Sequence, residues 1–136
     1  MGGVAGIFND NAPDGKKISV FFNTNAGNIA LEQRNETKSN DETDQNYIAS
    51  AADHPGFILT DSNLATTDLS GITLVFGITS QYSAPLKAKE CGCNDPKFND
   101  VSIVSPIYRS LSHTDVGNNA LAACSSDDSA YVFYIS

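Results

Sequence analysis

The chain has 136 residues, 40% hydrophobic and 18% charged, enough for one domain with a core and too apolar for compositional disorder. Sixteen acidic side chains against eight basic ones leave a net charge of −8, which repels phosphate backbones and argues against nucleic acid as a partner. No apolar run is long enough to span a bilayer, and MGGVAGIFND lacks the marks of a secretion signal or a myristoylation signal.

In chain order the first expected strand is VAGIFN at 4–9. Pro13-Asp14-Gly15 supplies a hairpin turn, and KISVFFNT at 17–24 the second strand. Asn25-Ala26-Gly27-Asn28 turns the chain again into NIALEQ at 28–33. The segment ETKSNDETDQN at 36–46 has no apolar residue and reads as an exposed loop. A fourth strand is expected at YIASA (47–51) or GFILT (56–60). NLATTD at 63–68, GITLVFGIT at 71–79, PLKAKEC at 85–91 and VSIVSPIY at 101–108 read as four more. ALAACS at 120–125, a turn at Asp127-Asp128-Ser129 and SAYVFYIS at 129–136 complete the chain. No helical period runs far enough to predict a helix.

These elements repeat. A shared Val-Phe pair falls at Val20-Phe21, Val75-Phe76 and Val132-Phe133, in steps of 55 and 57 residues (75 − 20 and 132 − 75). Ahead of it stand VAGIF, LATT and LAAC, with 11 residues from Leu64 to Val75 and again from Leu121 to Val132 (75 − 64 and 132 − 121). From Val4 to Val20 the step is 16 (20 − 4), the extra five fitting the loop DNAPDGKK, and the two elements in three places predict three repeats, about 1–60, 61–117 and a partial third at 118–136. The expected fold is all-β, one domain of propeller-like four-stranded antiparallel units, with a plain β-sandwich as the alternative. SAYVFYIS closes the sequence with no turn signal after it, so its strand is expected to be an unpaired edge. A longer polypeptide, further copies of the chain or a second polypeptide would then complete the ring.

LAAC at 121–124, ISVFFNT at 18–24 and GNIAL at 27–31 resemble the repeats of the fungal fucose-specific lectins related to the orange-peel mushroom lectin. The resemblance implies a six-bladed propeller and glycan binding. It does not carry that family's sugar contacts across. The arginine before the strand-two valine is replaced by Ser19, Leu74 and Tyr131, the strand-three glutamate by Leu31 and Ala88, and the chain has no tryptophan.

Candidate ligand-binding residues are therefore read from local chemistry. Arg34 stands near Glu32, Arg109 follows Tyr108, and Tyr131 lies in the last strand. An arginine beside an aromatic ring can hold a sugar or a carboxylate, and a surface ion pair is the competing reading. Cys91, Cys93 and Cys124 permit at most one internal disulfide, and buried thiols or one bridge to Cys124 are expected rather than a metal site. Asp10-Asn11-Ala12-Pro13-Asp14-Gly15 lacks a third-position oxygen at Ala12 and reads as a turn, not a calcium loop. His54 and His113 each precede a Thr-Asp pair, Thr60-Asp61 and Thr114-Asp115, that leads into a first strand, and read as solvated loop residues, without the Gly-x-Ser-x-Gly of a hydrolase elbow. The functional expectation is a non-catalytic, lectin-like carbohydrate-binding module needing no cofactor or metal, with a glycan as partner and no membrane or nucleic acid. The alternative is a protein-protein interaction scaffold. The sequon Asn35-Glu36-Thr37 and the lysine-poor, Asn/Ser/Thr-rich surface lean towards an extracellular, secreted setting.

Overall fold

The computed structural model describes residues 2–23, 29–34, 45–47, 58–80 and 98–135. Among these the chain is all β, with ten strands in three antiparallel sheets. The first sheet is an up-and-down meander of β1 (Val4–Phe8), β2 (Ile18–Asn23), β3 (Ile29–Arg34) and β4 (Gln45–Tyr47). The middle sheet repeats that order with β5 (Leu64–Leu69), β6 (Ile72–Thr79), β7 (Phe98–Ser105) and β8 (Arg109–Asp115). The third is the hairpin of β9 (Leu121–Ser125) and β10 (Ala130–Tyr134).

The turns follow from their residues. Gly15 takes φ 83° between β1 and β2, where the Lys16 amide donates to the Pro13 carbonyl at 3.0 Å. Ser70 (φ 52°) and Gly71 (φ 84°) form the two-residue connection of β5 to β6, the left-handed pair that suits the twist of a tight hairpin. Between β9 and β10 the Ser126 amide donates to the Ser129 carbonyl at 2.8 Å.

Three expected elements need correction. The segment 36–46 is not all loop, because Gln45 and Asn46 pair with Glu32 and Leu31 to open β4. The described fourth strand of the first sheet is Gln45–Tyr47, which reaches the first residue of YIASA; the rest of YIASA and the first two residues of GFILT lie outside the described residues, and Ile58 makes a bridge to Thr79. VSIVSPIY is not one fourth strand either. Its front half belongs to β7, the third strand of the middle sheet, and Pro106, which has no amide hydrogen to give a ladder, follows where that strand stops. The fourth strand is RSLSHTD, β8. PLKAKEC, the turn at 25–28, Cys91, Cys93, His54 and the sequon lie outside the described residues.

The three sheets share one register. Val20 faces Gly6, Val75 faces Thr66 and Val132 faces Ala123, each two residues beyond Val4, Leu64 and Leu121. Because side chains alternate along a strand, equivalent residues look the same way in each sheet. Ala5, Ile7, Phe21, Ile29 and Leu31 of the first sheet pack on Leu64, Val75 and Val104 of the middle one, with Ile58 beside them. The strand β5 lies against β1 on one side and β9 on the other.

Close backbone approach fixes the first junction. The Gly3 amide donates to the Ser62 carbonyl at 2.9 Å, and Asn23 Nδ2 donates to the Leu59 carbonyl at 2.6 Å. A Cβ on Gly3 would stand 2.5 Å from the Leu64 nitrogen and 2.6 Å from Asn63 Cα. Those are backbone atoms, so Gly3→Ala must push the sheets apart. We expect it to lower stability by about 1–3 kcal/mol, read as a lower urea midpoint at unchanged slope. An unaltered midpoint would show that the junction gives way freely.

Candidate functional site

The strongest grouping of chemistry-bearing side chains lies on β6, β7 and β8. Phe98, Asp100 and Ser102 alternate along β7 and so share a face. Asp100 pairs with Thr79 of β6 on one side and His113 of β8 on the other, and Ser102 pairs with Gly77. That face is the one on which Val75 packs against the first sheet, since Val75, Gly77 and Thr79 alternate along β6.

Two subclusters form there. Thr79 and Ser102 are fully buried, with their hydroxyl oxygens 2.9 Å apart. The Tyr108 hydroxyl lies 3.3 Å from Thr79 Oγ1 and 3.4 Å from Ser102 Oγ. Buried hydroxyls need partners, and these three supply one another. Beside them His113 Nδ1 donates to Asp100 Oδ1 at 2.8 Å. The Asp100 side chain is only 9% exposed and that of His113 64% exposed, so the imidazole reaches solvent from a carboxylate set in the sheet. The exposed Phe98 ring stands beside it, ring centroids 6.4 Å apart and tilted by 40°.

Of the residues nominated from sequence, only Tyr108 joins this group. Arg109 opens β8 opposite Ile103, across the ladder from a residue on the other face of β7. Glu32 faces Val20 on the first sheet, and Arg34 faces Ile18 two places along the same ladder. Tyr131 sits in β10 opposite Cys124, half exposed. The five therefore occupy three sheets rather than one pocket.

His113 is a strand residue, not a loop one, and its carboxylate partner is Asp100 across the sheet rather than its chain neighbour Asp115. Cys124, expected to be buried or bridged, is a free and exposed thiol on β9. Asp10 forms an ion pair with Lys17 at 3.0 Å beside the turn. Sequence reading missed Phe98, Asp100, Ser102 and Thr79. Their signal was the alternation Phe98-x-Asp100-x-Ser102, hidden once the strand was begun at Val101.

Chemically the face offers a planar apolar ring, a carboxylate, an imidazole and a phenolic hydroxyl within one short stretch of sheet. That is a set for binding a polar ring-shaped ligand by stacking and hydrogen bonds. No protein-family model matches this chain, and no curated protein and no solved structure matches it.

Proposed function

We propose that the chain is a non-catalytic glycan-binding module built from propeller-like sheets, working outside the cell. The observation that carries this reading is the shared face of Phe98, Asp100, His113 and Tyr108. A sugar presents a C–H face that suits an aromatic ring and hydroxyls that suit a carboxylate and an imidazole. The buried Thr79–Ser102 pair holds the Tyr108 hydroxyl from beneath, which lowers the ordering cost of binding. The propeller-like arrangement is supported by the meander order of the sheets and by β1, β5 and β9, the first strands, lying side by side. The resemblance to the fucose-specific lectins points the same way for the fold, and the sequon supports the setting.

The test is thermal denaturation of the chain with a panel of neutral and acidic mono- and oligosaccharides, followed by calorimetry on any that act. One sugar class is expected to raise Tm. Phe98→Ala and Asp100→Asn should each weaken its binding at least about tenfold, worth about 1.4 kcal/mol. If no sugar moves Tm and an array of glycans shows no binding, the reading is wrong.

A further inference from the structure

Phe21, Phe76 and Phe133 hold one place in the three sheets, each following the strand-two valine. Their exposures are 4%, 2% and 58%. Phe21 packs against the middle sheet, and Phe76 lies on the middle sheet's opposite face, the side on which β9 meets β5. Among the described residues no sheet covers Phe133. With Ala122, Cys124 and Tyr131 it makes an exposed face on the β9–β10 hairpin. The other end of the stack shows the complementary gap. Leu64, which packs towards the first sheet, is 6% exposed, and its counterpart Val4 is 68% exposed. With Phe8, Ile18, Val20 and Phe22 it makes the outer face of β1–β2.

Each of the two internal junctions joins a phenylalanine-bearing face to the face that starts with Leu64 or its repeat equivalent Leu121. Among the described residues one face of each kind is exposed, that of Phe133 and that of Val4. The four strands that form them, VAGIF, ISVFFN, LAACS and AYVFY, contain no charged residue in a chain of net charge −8. Within these four strands no charge opposes the contact, and Glu32 of β3, across the ladder from Val20, lies at the border of the β1–β2 face. We propose that these faces pack on one another between copies of this chain, the β9–β10 face of one copy on the β1–β2 face of the next. A second copy supplies both complements with the register of the internal junctions, whereas an unrelated partner would need a separate match to each face. The contact is head to tail, so it closes into a ring or extends according to the rotation at each step. This inference is independent of the glycan reading.

The test is solution mass by light scattering and sedimentation over a range of concentrations, in reductant so that Cys124 cross-links are not counted. The unaltered chain is expected at a multiple of its 14.4 kDa mass. Phe133→Asp and Val4→Asp should each reduce it, with unchanged far-ultraviolet circular dichroism because both side chains are exposed. An equimolar mixture of the two variants should form a one-to-one pair, since each retains one intact face of opposite kind. Phe133→Ser and Val4→Ser serve if the aspartates disturb folding. A chain that stays at single mass throughout overturns the proposal. So does an assembly that survives both substitutions, or one lost in Phe133→Asp but kept in Val4→Asp, which is the mark of like-on-like contact.

Discussion

Replacing Phe21 or Phe76 by alanine is expected to cost about 3–5 kcal/mol of folding stability, whereas Phe133→Ala costs under about 1 kcal/mol. The three rings are repeat equivalents, each after a valine and opposite an alanine of the first strand (Ala5, Ala65 and Ala122), so the comparison holds the residue type and its nearest strand contacts nearly constant. What differs is the surroundings: Phe21 and Phe76 are covered and also pair with Leu31 and Ile103 of a third strand, whereas Phe133 stands exposed on a two-stranded hairpin. Losing a ring that is 2–4% exposed removes its transfer free energy and leaves a cavity; losing one that is 58% exposed does little of either. A domain of this size has roughly 5–15 kcal/mol in all, so the first two variants approach a third or more of the total. Urea unfolding at low protein concentration reads the difference. At higher concentration Phe133→Ala should also remove whatever part of the stability depends on concentration, because binding of folded chains to one another stabilises them by mass action. Three equal costs would mean that the third hairpin is covered, and the exposed end face would disappear with it.

The same three phenylalanines show what the sequence made legible. Val-Phe at steps of 55 and 57 marks the middle of a second strand in each sheet, and the ladders place Val20, Val75 and Val132 at one register. Repeats are readable because side-chain alternation and turn chemistry are local. Strand identity in the outer half of each sheet was less so. β4 consists of Gln45, Asn46 and Tyr47, whose pairing rests on the ladder they complete rather than on apolar alternation. A polar strand at a sheet edge has no core to announce it. VSIVSPIY failed for another reason. Its apolar run crosses Pro106, and propensity alone did not say that the chain folds back there to lay Arg109–Asp115 beside β7.

The candidate site was legible in parts only. Tyr108 stood out as an aromatic near a cation, yet the cation beside it in sequence falls on the other side of the ladder. Adjacent residues in a strand diverge, so a Tyr-Arg dipeptide is poor evidence for convergence, and residues two apart are the ones that share a surface. Asp100 and His113 are 13 residues apart and meet only through the β7–β8 ladder. Nothing local predicts that pairing. It follows from the register, and that register contains an irregularity between Val101 and Ser102 that counting along the sequence does not supply. The nominated Glu32, Arg34 and Tyr131 were chosen from residue type, and the fold distributes them over two other sheets.

Thr79→Val and Ser102→Ala are each expected to cost about 1–3 kcal/mol, and the double variant less than their sum by at least about 0.5 kcal/mol. Both hydroxyls are fully buried and 2.9 Å apart, so each substitution strips a partner from a group that has no access to water. Removing both takes away the donor and the acceptor together, and the penalty of the orphan is not paid twice. The Tyr108 hydroxyl, 3.3 and 3.4 Å from the same two oxygens, is the group that this pair positions. Either single variant should therefore loosen Tyr108 and weaken sugar binding along with stability. Tyr108→Phe should weaken binding while leaving most of the stability in place, because it keeps the ring and the Thr79–Ser102 bond. Urea midpoints and calorimetric titrations of the four variants separate these effects. Strict additivity of Thr79→Val and Ser102→Ala would show two independent hydroxyls rather than one network, and the glycan reading would lose the floor on which its phenol rests.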